Sequence, residues 1–246
     1  MGKQVGTIKI IGSFDGAVGY VDKQGNIQAR SAAKKFTDAN TKKQREVRVR
    51  FLAASTLARG FKNVLMGLTP QAKAKKISLR NAFVKYNYAA TEGTVGESGD
   101  DAVTDFTMLH LSMGPVANPS FGTPSATKPL QVDVAVSGVD SDPESTMDNA
   151  YVYIVVYNEV DNKALMARER LQSTTISVNV PNSWNGETVK VFGFVQRFES
   201  ANARMEYDSI FNDPTMKGGE AKSSLFLLQS QAEYSNSRYL GEVNIS

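Results

Sequence analysis

Apolar residues recur along this chain in two rhythms, a period near 3.6 between residues 42 and 88 and a period of two beyond residue 106. Ahead of both, residues 4–12 (QVGTIKIIG) and 18–31 (VGYVDKQGNIQARS) read as short strands, with a turn at Lys23-Gln24-Gly25-Asn26 that makes the second a hairpin. Val47, Phe51, Ala54 and Ala58 then follow a polar cap at Asn40-Thr41, spaced i, i+4, i+7 and i+11, with Leu57 beside them and Gly60 as a stop. This predicts a helix with one apolar face and an opposite face carrying Lys43, Arg45, Arg48, Arg50 and Arg59. Thr69-Pro70, an N-cap followed by proline at the first helical position, opens a second helix lined by Ala74, Ile77, Asn81, Val84 and Tyr88.

Residues 91–105 are small and acidic and read as a linker. After it, Leu109, Leu111 and Met113 alternate with His110 and Ser112, and Val132, Val134 and Val136 with Asp133 and Ala135. Further strand-like runs are Tyr151–Tyr157, Ala164–Arg170, Thr175–Val180, Thr188–Gln196, Ser223–Leu228 and Arg238–Ile245. The expected fold is α+β. A basic segment over residues 1–90, an N-terminal β-hairpin plus two basic helices, precedes the acidic linker 91–105 and an immunoglobulin-like antiparallel β-sandwich over 106–246.

Charge sharpens this division. The net charge is only +3, yet residues 1–90 hold 18 basic side chains against four acidic ones, a net of +14, and the remainder carries −11. Such a split points to a basic segment that meets a polyanion, the acidic half of a neighbouring copy, or the acidic half of its own chain. The first helix opens with Lys42-Lys43-Gln44-Arg45 at its positive dipole end, which is unfavourable unless an anion or acidic partner sits there. Lys42, Lys43, Arg45, Arg48 and Arg50 are therefore the expected polyanion or inter-subunit contacts.

Composition removes most familiar chemistry. The chain has no cysteine and one histidine, His110, so disulfides, thiolate catalysis, Cys/His zinc sites and two-histidine metal motifs are excluded. His110 lacks a nucleophile motif and reads as a surface or structural residue. Gly12, Gly16 and Gly19 match neither the dinucleotide fingerprint nor a P-loop, and serve turns. Two acidic groups, Glu97, Asp100, Asp101, Asp105 and Asp140, Asp142, Glu144, Asp148, raise calcium binding, but neither has EF-hand spacing and solvated turns use aspartate freely. Tyr151, Tyr153 and Tyr157 share one strand face, where cross-strand packing outweighs a binding platform, and Trp184 is expected to cap the sandwich edge. No catalytic, cofactor-binding or metal residue is assigned, and no cofactor is expected. The N-terminus lacks a signal-peptide pattern and no run nears ~18 apolar residues, so the protein is expected to be made in the cytoplasm, with no membrane span, and to reach a virion or extracellular assembly after release.

The stretches VGYVDKQGNIQARS, TKKQREVRVRFLAASTLARGFKNV, SLRNAFVKYN and VPNSWNGETVKVFGFV, with Arg30-Ser31 near the start and Tyr239-Leu240-Gly241-Glu242 near the end, resemble an uncharacterised domain family common in Bacteroidetes genomes and mobile elements. The resemblance implies no activity and no site residues. The expected function is a non-enzymatic structural subunit that self-assembles into a phage-like particle, tube or filament, its partners being copies of itself, other phage-like structural proteins or nucleic acid. The alternatives are a nucleic-acid-binding accessory protein gripping phosphates through the basic helices, and a carbohydrate or cell-surface binding module built on sandwich loops.

Overall fold

The structure, a computed structural model, describes residues 12–14, 17–21, 27–31, 40–96, 99–138, 149–172, 174–212 and 219–246. All elements and contacts below belong to these residues. The chain divides into two compact units, Met1–Thr41 and Lys42–Ser246. In the first, β1 (Gly12–Phe14), β2 (Ala17–Val21) and β3 (Ile27–Ser31) form an antiparallel sheet in that order, with Gly12 opposite Gly19 and Ala17 opposite Ser31. The expected turn at Lys23–Asn26 and the strand over 4–11 lie outside the described residues.

The second unit begins with α1 (Lys42–Gly60), α2 (Thr69–Lys75) and α3 (Leu79–Asn87), followed by β4 (Thr91–Gly96) and β5 (Gly99–Thr104). Next come β6 (Ser120–Phe121), β7 (Ser125–Lys128), β8 (Gln131–Ser137), β9 (Ala150–Asn158), β10 (Lys163–Arg170), β11 (Thr174–Asn179) and β12 (Thr188–Arg197). Two helices, α4 (Ala201–Phe211) and α5 (Gly219–Gln231), precede β13 (Glu233–Tyr234) and β14 (Arg238–Asn244). The protein thus combines helices with antiparallel sheets. One five-stranded sheet runs β10-β9-β12-β13 with β14 also on β12, and a four-stranded sheet runs β11-β8-β6 with β7 also on β8.

Strand β9 explains the layering. Its sequence AYVYIVVYN is buried along its whole length. Tyr151, Tyr153, Val155 and Tyr157 enter a core shared with Leu57 and Ala58 of α1, Phe83 of α3 and Tyr207 of α4. Val152, Ile154 and Val156 enter a second core with Val132, Val134 and Val136 of β8 and Ile176 and Val178 of β11. A strand covered on both faces reads as a near-continuous apolar run, and each buried Val or Ile contributes roughly 1.5–3 kcal/mol. At the sheet's other side, Gly241 has φ +125 with open space where a Cβ would stand, so backbone conformation and not room selects glycine beside the register shift in the β12–β14 ladder.

Four expectations change. The helix expected from Thr69 to Tyr88 is broken where Lys76 takes a left-handed φ of 52 and ends α2, after which the Ser78 hydroxyl accepts the Asn81 N–H at 3.2 Å and starts α3. Residues 91–104, read as a linker, pair as β4 and β5, with Thr91 opposite Thr104 and Gly96 opposite Gly99. Ser223–Leu228, read as a strand, lies within α5, since a short apolar run fits helix and strand alike. Leu109–Met113 does bury Leu109 and Leu111, but it is no strand. Asn87 and Ser237 side chains hold its backbone, the Ser237 hydroxyl accepting the Leu111 N–H at 2.8 Å. Helix α4 was not foreseen. Its Ser200 cap accepts the Ala203 N–H at 3.2 Å, and Arg204, Tyr207 and Ile210 face inward.

Candidate functional site

The basic residues singled out by charge all lie on the first three turns of α1. The helix is anchored by its C-terminal half, where Ala54, Leu57 and Ala58 are buried and Phe61 just beyond stacks on Tyr157 with ring centroids 4.4 Å apart. Its N-terminal half leans instead on β4. At Gly93 a Cβ would come within 2.6 Å of the Glu46 carbonyl oxygen, so glycine permits this close approach.

That packing divides the five expected contacts into two sets. Arg45 reaches Asp100 of β5, its Nε donating at 3.3 Å and its Nη2 forming an ion pair with the same carboxylate; the hydrogen bond to Asp100 is the main cause of an upward shift in the Arg45 pKa. The acid that the dipole of α1 calls for is therefore partly supplied within the chain, across the boundary between basic and acidic halves. Arg50 donates from Nε to the Tyr88 carbonyl at 2.8 Å and lies 4.2 Å over the Tyr88 ring. Lys42, Lys43 and Arg48 are exposed. Lys43 borders a shallow depression of 350 Å³ with Glu46, Val47, Arg50, Tyr88 and Glu92.

Between these cations sits an apolar stripe that patterning assigned to the core. Val47 and Phe51 are 50% and 56% exposed, and Leu52, outside that stripe on an adjoining side of the helix, is 66% exposed. The stripe continues in register with buried Ala54 and Ala58, but the described core covers only its C-terminal part. Leu52 also borders a groove of 340 Å³ formed with Val49, Ala53 and Thr56 on the helix side and Asp100, Asp101 and Thr104 on the strand side.

The other end of α1 carries exposed charges of both signs, Arg59 in its last turn and Lys62 just beyond it on the basic side. The turn from β9 to β10 exposes Glu159, Val160 and Asp161, with Val160 78% exposed. Asn162 fastens it to the helix, donating from Nδ2 to the Thr56 carbonyl at 3.1 Å while its Oδ1 accepts the Tyr157 hydroxyl at 3.0 Å. Asp161 accepts the Trp184 indole N–H at 2.6 Å, and Glu159 pairs with Lys190 at 3.4 Å. The helix thus carries exposed cations at its start, exposed apolar groups along its middle, and both exposed cations, Arg59 and Lys62, and exposed carboxylates, Glu159 and Asp161, near its end.

The remaining candidates are occupied by structural contacts. Tyr151, Tyr153 and Tyr157 are buried, and burial raises each phenol pKa, Tyr157 to about 12. Tyr151 also packs against an inward guanidinium: Arg168 lies 4.6 Å from its ring centre, 5.3 Å from that of Tyr207 and 4.1 Å from that of Phe211, and forms an ion pair with Asp208 at 3.1 Å. Trp184 is fully buried beneath the valine core. Asp100, Asp101 and Asp105 are taken up by Arg45, the Ala102 N–H and Thr107 respectively, while Glu97 and Asp140–Asp148 lie outside the described residues. Among the described residues no group of three or more His, Asp or Glu side chains is placed to hold a metal ion, and no helix is long and apolar enough to cross a membrane. The exposed apolar stripe was missed because periodicity reports which helix face is apolar and not how far a partner covers it.

Comparison with protein-family models, curated proteins and solved structures yields no match to this chain.

Proposed function

We propose that this protein is a non-enzymatic structural subunit that assembles with copies of itself into a phage-like particle, tube or filament. One observation carries the reading: Val47, Phe51 and Leu52 stand exposed on a helix whose neighbouring side chains are cationic, in a chain whose other half is strongly acidic. Exposed apolar groups rimmed by charge mark protein contacts, and complementary charge sets register and encounter rate more than affinity. In the same proposal the two sheets form an immunoglobulin-like sandwich, which presents a rigid body for repetition, and the N-terminal hairpin and basic helices supply the joining segment. The kinship with the Bacteroidetes domain family is part of the proposal and adds no activity to it.

Electron microscopy of concentrated protein in low salt tests the reading. Regular particles, tubes or filaments are expected; a field of single subunits at every concentration would overturn it.

Nucleic-acid binding is the second reading, favoured by exposed Lys42, Lys43 and Arg48 on one short stretch. It predicts that reversing these three charges weakens binding to every DNA or RNA sequence about equally. Unchanged affinity in that variant would end it.

A further inference from the structure

Two surfaces of the Lys42–Ser246 unit set apolar groups among charges of opposite sign, and they lie on different sides of α1. The first is a stripe on the helix itself. Lys43, Val47 and Phe51 follow one another at i, i+4 and i+8, all exposed, with exposed Arg48 beside them. Glu46 and Glu92 stand on the Lys43 flank, Glu46 about 140° round the helix from Phe51. The second surface is a cavity of 490 Å³ beside the end of β5, lined by buried Phe106 and half-buried Tyr239 with exposed Val103 at its edge. Asp105, Glu159 and Glu242 line it against one cation, Lys190, which sits 5.1 Å over the Phe106 ring and pairs with both glutamates. The exposed cations at this end of α1, Arg59, Lys62 and Lys163, do not line it. The turn that carries Glu159 is tied through Asn162 to Thr56, about 140° round α1 from Phe51. Stripe and cavity therefore cannot meet within one copy.

We infer that copies of this chain join head to tail, the Lys43–Val47–Phe51 stripe of one docking in the cavity of the next, with Phe51 against Phe106 and Tyr239 and the cations Lys43 and Arg48 facing Asp105, Glu159 and Glu242. The inference rests on the self-assembly reading and names its repeating contact. Three carboxylates around one ammonium that is already paired leave the cavity net negative, and an apolar stripe flanked by cations is the surface of this chain that complements it. The aromatic lining gives the phenyl ring of Phe51 partners that solvent does not. A contact between two different surfaces leaves a free stripe at one end of every pair and a free cavity at the other. It therefore propagates into a ring or a filament, where a contact between like surfaces would stop at two copies.

Two variants of the full chain, each defective at one surface, test it by light scattering. Lys43→Glu with Phe51→Glu removes the stripe, and Val103→Lys with Glu159→Lys blocks the cavity. All four side chains are exposed, and Lys190 keeps Glu242 as a partner. Each double variant alone is expected to self-associate about tenfold more weakly or worse. Mixed in equal amounts, the two should form one-to-one pairs and nothing larger, because the intact stripe of the second fits the intact cavity of the first and neither remaining surface can bind. Misfolding of either variant cannot produce such pairs. If both variants assemble like the natural chain, or if the mixture holds no pairs, the head-to-tail contact is wrong while self-assembly of the natural chain stands. A natural chain that stays monomeric removes both.

Discussion

The side-chain amide of Asn87 binds His110 as a neighbouring strand would, donating from Nδ2 to its carbonyl at 2.9 Å and accepting its N–H on Oδ1 at 2.5 Å. A second Nδ2 bond, to Phe83 at 3.0 Å, closes the end of α3. Asn87 is fully buried, so its loss would strand backbone groups that water cannot easily reach. Asn87→Ala is expected to destabilise the protein by about 2–4 kcal/mol. Urea unfolding measures this, and a change below about 0.5 kcal/mol would mean that His110 is held by other means.

Arg168 is wedged among three aromatic rings and ion-paired with Asp208, a stacked geometry that suits a planar guanidinium better than an ammonium. Arg168→Lys keeps the charge and loses the stacking, with an expected cost of about 1–2 kcal/mol. Arg168→Ala should cost more, because Asp208 is then left with Arg204 and Tyr151. Thermal melting of both variants gives the order, and equal losses would show that stacking contributes little.

Burial lifts the phenols of Tyr153 and Tyr234 well above their ordinary value of 10, and lifts Tyr157 to about 12 with help from the charge of Glu159. The folded protein keeps these groups neutral, while the unfolded chain releases their protons first. Their contribution to stability is therefore complete below about pH 10 and is lost progressively as pH rises above it, that of Tyr157 through about 12. The urea midpoint should fall over that window, and tyrosinate absorbance of the folded protein should lag behind that of the unfolded chain. A flat midpoint, or all tyrosines ionising near pH 10 in the folded state, would contradict this.

Gly67 lies where a Cβ would come 2.4 Å from the Ser112 Cβ and 2.7 Å from the Leu111 carbonyl oxygen. Gly67→Ala forces the 109–113 segment off its helix support and should cost about 1–3 kcal/mol. Hydrogen exchange at Leu111 and Met113 should accelerate in this variant, Met113 N–H being bonded to the Gly67 carbonyl at 3.3 Å. Unaltered exchange there would place the strain elsewhere.

Much of this arrangement was legible in the residues. The span of α1 follows from its i, i+4 stripe and Gly60, and the alternating valines of β8 do enter a core. What escaped was decided by contacts distant in sequence. Nothing local marks Lys76 as the left-handed residue that ends α2, because lysine carries no conformational preference for that role. Ser223–Leu228 looks like a strand until α4 and α2 are present for a helix to lie on. The alternation at Leu109 and Leu111 reports true burial, but a buried amide and a serine supply the partners that a strand would have supplied. The charge pattern singled out one stretch of α1 as the expected contact. It could not tell that Arg45 and Arg50 are engaged by Asp100 and Tyr88, nor that Val47 and Phe51 face solvent between them.

Self-assembly through complementary charge is read out by the mass of the purified protein in solution. Light scattering after size exclusion, in low and in high salt and with the ratio of nucleic-acid to protein absorbance recorded, should give multimers free of nucleic acid whose mass falls as salt rises. A strict monomer at high concentration in low salt would contradict the account.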